Sequence, residues 1–165
     1  MTINTQNAFQ VRILAEGELR LAVPLVQLLY PSLSEAEWVA YASAKPPPKP
    51  SPARQVLVAS NPGGYLHGLC TLTDGFDLRC GRTLDVDDLV VANFLDTRSV
   101  AQTLLAGIED IARRGGYHAV RVNLADGNMP HRQAVADALN SVGHVRTMAR
   151  FAKPLAQPLR PIISI

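Results

Sequence analysis

Two stretches of this 165-residue chain carry groups with evident chemistry. The first is a row of carboxylates, Asp85, Asp87 and Asp88, inside residues 82–91, RTLDVDDLVV. Its β-rich, partly alternating pattern reads as a strand, with Asp85 and Asp87 on one face and Asp88 on the other. A carboxylate so held can accept a proton from a substrate, directly or through water. The second is the loop after this strand, which opens a helix near Asp96 to Gln102. The first N–H groups of a helix have no partner within it and sit at the positive end of its dipole, so they form a seat for phosphate. A third group is His131, in the first turn of a later helix behind the N-cap candidate Asn128, where an imidazole titrates near neutrality.

These groups need elements to position them. Residues Phe9–Leu14 alternate as a first strand, and Leu19–Tyr30 is apolar enough for a helix with Pro24 near its start. Ser34 and Glu37 form a capping box that starts a second helix, running through Trp38 and Tyr41 to about Ala44. Lys45–Pro52, KPPPKPSP, is a stiff extended connector, because proline lacks the N–H and fixes φ. Gln55–Ala59 and Tyr65–Leu72 are strands joined by the turn Asn61–Gly64, and Thr73–Gly75 is a break before the carboxylate strand. Val100, Ala101, Leu104, Leu105, Ile108, Ile111 and Ala112 share one face of a helix that Gly115-Gly116 stops. Tyr117–Leu124 is the next strand, a helix follows from Asn128 to Gly143, and Val145–Phe151 alternates as a last strand. Residues 1–9 form a flexible start, 10–155 one domain, and 156–165 a proline-punctuated tail.

Bulk composition narrows the classes. With 47% hydrophobic and 18% charged residues and a net charge of +2, the chain is globular and too balanced to bind nucleic acid by charge alone. No apolar run is long enough to span a bilayer, and residues 1–20 lack signal-peptide features, which points to the cytoplasm. Cys70 and Cys80 fall on neighbouring strands and read as reduced thiols, with a disulfide left open. Neither has the companions a zinc site needs.

The order β-α-α-β-β-β-α-β-α-β, with residues 88–91 (DLVV), a loop, and then residues 103–105 (TLL), resembles a divergent member of the GNAT superfamily of acyl-CoA-dependent N-acyltransferases. The resemblance covers about Gln10 to Leu155. Family members carry an Arg/Gln-x-x-Gly-x-Gly/Ala turn, which falls here on Asp96–Ala101. Ala101 agrees, whereas Ser99 replaces a glycine and Asp96 replaces Arg or Gln. The family's proton-donating tyrosine falls on Leu139 and its usual asparagine on Arg132, with Asn128 and His131 close by.

The resemblance implies an α/β fold on a mixed sheet whose fourth and fifth strands splay apart. It further implies an acetyl-CoA or other acyl-CoA cosubstrate and no metal. Arg98, Ser99, Val100, Ala101 and Gln102 would hold the diphosphate, Leu89, Val90 and Val91 the pantetheine, and Asn128 and His131 would border the same ligand. A backbone N–H at Val90 or Val91 would polarise the thioester, and Asp85 would be the base for direct transfer to a small-molecule or protein amine. Tyr30, Trp38 and Tyr41 are placed to line an acceptor pocket or to pack the core, and a homodimer is compatible with the open sheet. No nucleic-acid or membrane partner is implied. The alternative is a non-catalytic GNAT-fold module that senses CoA or binds a protein, which Asp96, Ser99 and Leu139 favour.

Overall fold

The computed structural model describes residues 9–43, 54–92, 96–125 and 132–147. Strands β1 (Gln10–Ile13), β2 (Gln55–Ser60), β3 (Leu66–Asp77), β4 (Gly81–Val91) and β5 (Ala119–Val122) form one sheet in that spatial order. Neighbours are antiparallel except β4 and β5, which run parallel. Helix α3 (Thr97–Arg114) is the crossover that a parallel pair demands, and it contacts all five strands. Its buried face is Val100, Ala101, Leu104, Leu105, Ile108 and Ala112, as the periodicity predicts. Gly68 of β3 lets it approach closely, since a Cβ there would lie 2.8 Å from Leu104 Cδ1.

A 3₁₀ turn (Glu16–Ala22) packs on β3 and the short α1 (Val23–Val26) on β3 and β4, and α2 (Glu35–Ser43) packs on both of these helical turns. The Ser34–Glu37 capping box forms as expected. The Ser34 N–H donates to Glu37 Oε2 at 2.9 Å and the Glu37 N–H to Ser34 Oγ at 3.3 Å. Trp38 is buried and donates its Nε1–H to Leu19 O at 2.8 Å, tying α2 to the 3₁₀ turn. Helix α4 (Arg132–Ser141) packs on α3 through Val135, Ala138 and Leu139.

Three expectations about elements change. Residues 19–30 are not one helix but a 3₁₀ turn running into a single α-turn, which leaves Tyr30 in the loop beyond it. The break at Thr73–Gly75 is absent. Thr73, Asp74 and Gly75 pair with Asp85, Leu84 and Thr83, because a long partner strand continues the ladder past the glycine. Val145–Thr147 carry no strand, and the remainder of that segment lies outside the described residues. Outside them too are residues 1–8, the whole proline connector, Phe94, Leu95, Asn128, His131 and the tail. Cys70 is buried and Cys80 partly exposed, and both are free thiols.

Candidate active site

Strands β4 and β5 pair only from Thr83↔Ala119 to Val86↔Val122, and the Asn123 N–H closes the ladder on Val86 O at 2.8 Å. Beyond that point β4 continues to Val91 with no described strand on its β5 side. The parting coincides with a bulge. The β3–β4 register shifts between Leu69 and Thr71, and Asp88 opposite the shift has φ +53°. Aspartate is among the few non-glycine residues that tolerate this left-handed region.

The bulge also turns a side chain over. Strict alternation sends Asp88 to the face opposite Asp87, where α3 packs. Instead its carboxylate joins Thr71, the register partner of Asp87. Tyr30 donates to Asp88 Oδ1 at 2.9 Å, while Tyr41 and Thr71 donate to Oδ2, each at 2.8 Å. One carboxylate thus gathers hydroxyls from the loop after α1, from α2 and from β3. Burial first, and then the charge of Asp88, pushes the Tyr30 hydroxyl far above the ordinary tyrosine range and Tyr41 up to about 12. Burial and then Asp88 also push the Cys70 thiol up, so it is inert as a nucleophile. Arg54 lies over the Tyr41 ring, 3.9 Å from its centroid, and donates to Tyr41 O at 2.7 Å.

Asp85, the base that the resemblance implies, sits differently. Arg121 of β5 grips it through Nε (2.8 Å) and Nη2 (2.5 Å), and Thr83 Oγ1 donates to it at 2.9 Å. The bond to Asp85 is the largest cause raising the Arg121 pKa, so this guanidinium stays charged. The Asp85 carboxylate fills the space above Gly75, where an added Cβ would lie 2.6 Å from Asp85 Cγ. Asp87 accepts from Asn123 Nδ2 at 2.8 Å. Asp85 and Asp87 therefore clamp β4 to β5 on either side of the last parallel pair.

At the start of α3, Asp96 is the N-cap and its Oδ1 accepts the Ser99 N–H at 3.2 Å. The Val100 and Ala101 side chains are buried, Ser99 is half-buried, and Arg98 and Gln102 are exposed. Leu89, Val90 and Val91 are buried along the end of β4. The Ala92 N–H donates to His67 O on the β3 side at 2.8 Å, so the preceding Val91 N–H points to the side that β5 has left. Leu139 is buried against the α3 side of α4. Asn128 and His131 lie outside the described residues.

A long βα crossover, a bulged β4 and a sheet that opens beside it together define a known architecture. Solved acetyltransferases superpose on it over nearly their whole length. Ribosomal-protein-alanine N-acetyltransferase from Brucella melitensis biovar Abortus 2308 matches with a TM-score of 0.69 at 14% identity, over 90% of this chain and all (100%) of that one. The chain has the GNAT fold. An aminoglycoside acetyltransferase from an uncultured soil metagenomic sample matches at 0.68 and 15% identity, over 91% of this chain and 98% of its own. AAC(6')-Iy, solved with a bisubstrate analogue of CoA and acetylneamine, matches the GNAT fold here at 0.67 and 13% identity, over 90% and 98% of the two chains. No family model matches the sequence, and no curated protein does. Among the described residues no helix is long and apolar enough to cross a membrane.

The sequence reading missed Asp88 as a site residue and left Tyr30 and Tyr41 undecided between pocket and core. A signal for Asp88 is present in the pair Asp87-Asp88. Two consecutive carboxylates in a buried strand would drive one into the apolar core, and a bulge is the way out. Trp38 of the same aromatic set is core.

Proposed function

We propose that the chain is an N-acyltransferase that moves an acetyl or other acyl group from acyl-CoA to an amine by direct transfer. The observation that carries this reading is the bulge at Asp88, beyond which β4 runs on without β5 and the Val91 N–H faces the side β5 has left. Leu89–Val91 would flank the pantetheine, and the first turn of α3, Arg98 to Gln102, would take the diphosphate, with Asn128 and His131 bordering it. Asp96 must then release the Ser99 N–H to the phosphate. The Val91 N–H would polarise the thioester carbonyl, whose oxygen gains charge as the amine attacks.

Two carboxylates compete for the amine proton. Asp88 is the better placed, because its partners are hydroxyls, which can switch from donating to accepting once the carboxylate is protonated. Protonating Asp85 would instead break its two-bond pair with Arg121. Asp85 remains the base of the family pattern, and the two are separable by mutation. The non-catalytic reading has one observation of its own, the Asp96 carboxylate lodged on the helix N-terminus where a diphosphate would sit.

Isothermal titration with acetyl-CoA and free CoA tests the binding step, followed by transfer assays on spermidine, kanamycin and an alanyl peptide. Micromolar binding plus turnover on any of these amines supports the enzyme. Binding without turnover supports a CoA sensor, and no binding by either ligand refutes both.

A further inference from the structure

We propose that Tyr30 is the proton carrier that reprotonates the departing thiolate, an inference that rests on the acyl-transfer reading above. Thioester aminolysis leaves one proton too many on nitrogen and one too few on sulfur. Leu139 is buried and has no proton to give. Elsewhere on the described part of α4, Gln133 and Asp137 bond each other, and the Ser141 hydroxyl is turned back to Ala138 O. Among the described residues, a donor for the sulfur is therefore sought on another element.

Two phenols touch the Asp88 carboxylate, and the structure distinguishes them. Tyr41 shares Oδ2 with Thr71 and is held from the β2 side, with Arg54, the residue before β2, stacked on its ring and bonded to its carbonyl. Among the described residues, Tyr30 alone bonds Oδ1. It also feels the charge of Asp87, the residue that Asn123 holds at the end of β5. Tyr30 closely follows α1, which packs on β3 and β4, whereas Tyr41 is tied to Arg54 beside β2. Tyr30 sits in the loop beyond α1, outside any regular element, so its ring can turn without breaking a helix or a ladder.

The step balances. The amine nitrogen bonds the carbonyl carbon, and its proton passes to Asp88. The C–S bond breaks with its electron pair going to sulfur. Asp88 then donates to the Tyr30 oxygen as Tyr30 passes its own proton to the thiolate. The amine proton ends on the thiol, and both side chains return to their starting states. The Tyr30–Asp88 bond at 2.9 Å only reverses its direction.

Tyr30→Phe and Tyr41→Phe are compared with wild type in acetyl-CoA turnover on whichever of the three named amines is acetylated. Tyr30→Phe is expected to lower kcat by about 10²-fold with KM for acetyl-CoA unchanged and the melting temperature down by only about 2–4 °C, and Tyr41→Phe to lower kcat by less than about 3-fold. S-(4-nitrophenyl) thioacetate, whose thiolate leaves without a proton, is expected to be used equally by wild type and Tyr30→Phe. Equal kcat for Tyr30→Phe and wild type on acetyl-CoA overturns the relay while leaving acyl transfer standing. Equal losses in the two phenylalanine variants, or the same loss with the aryl thioester, overturn it as well. A wild-type protein that acetylates none of the amines overturns the acyl-transfer reading, and this inference with it.

Discussion

Replacing Asp88 separates what its carboxylate does for the fold from what it does for the reaction. In Asp88→Ala three hydroxyls, on Tyr30, Tyr41 and Thr71, lose their acceptor. Bonds to a charged acceptor are worth about 1.5–3 kcal/mol each, and because water reaches a half-exposed site the loss falls to about 1 kcal/mol apiece, or about 3 kcal/mol together. For a chain of this length 1 kcal/mol moves the melting temperature by about 2–4 °C, so Asp88→Ala should melt about 6–12 °C low. Asp88→Gly loses the same bonds but fits φ +53° without strain, which returns about 1 kcal/mol. The glycine variant should therefore be more stable than the alanine variant, the reverse of the usual order within a strand. Asp88→Asn tolerates the same backbone and keeps one acceptor oxygen, so it should melt within about 4 °C of wild type while losing about 10²-fold in transfer. Thermal unfolding and acetyl-CoA turnover on the three variants decide the matter. Alanine at or above glycine in stability would show that the left-handed bulge is not there in solution, and full turnover by Asp88→Asn would remove Asp88 as the base.

The remaining expectations concern the clamp, the helix and the tyrosines. If Asp85 and Arg121 act as a clamp, Asp85→Asn and Arg121→Gln should lose the same stability, about 1–3 kcal/mol, and the same activity. If Asp85 is the base, turnover should vanish in Asp85→Asn alone. Gly68→Ala should cost about 1–3 kcal/mol by pressing on Leu104 and Val100, read by chemical unfolding, and an unchanged midpoint would mean α3 does not pack there. In an ultraviolet titration Tyr41 should ionise at about 12 and Tyr30 higher still, against an ordinary value of about 10. Since the folded state holds these protons longer than the unfolded state, stability should be flat below pH about 10 and fall as pH rises from there toward 12. Ionisation of all four tyrosines near their ordinary value would contradict the Asp88 cluster.

Much of the framework was legible in the residues themselves. The capping box of α2, the buried face of α3 and the strand–loop–helix order depend on local periodicity and on side chains a few positions apart, which a linear reading captures. The candidate site was not. Alternation gave Asp85 and Asp88 opposite faces, but one inserted residue in β4 reverses that placement, and only the pairing with β3 reveals the insertion. Tyr30 and Tyr41 come from segments 58 and 47 positions away from Asp88, too far for any local pattern to join them. Arg121 finds Asp85 36 positions away because β5 returns parallel to β4 through the α3 crossover. Local spacing determined which elements form. The sheet register decided which carboxylate is bound by a guanidinium and which is ringed by hydroxyls, because that depends on strands brought together only when the chain closes on its core.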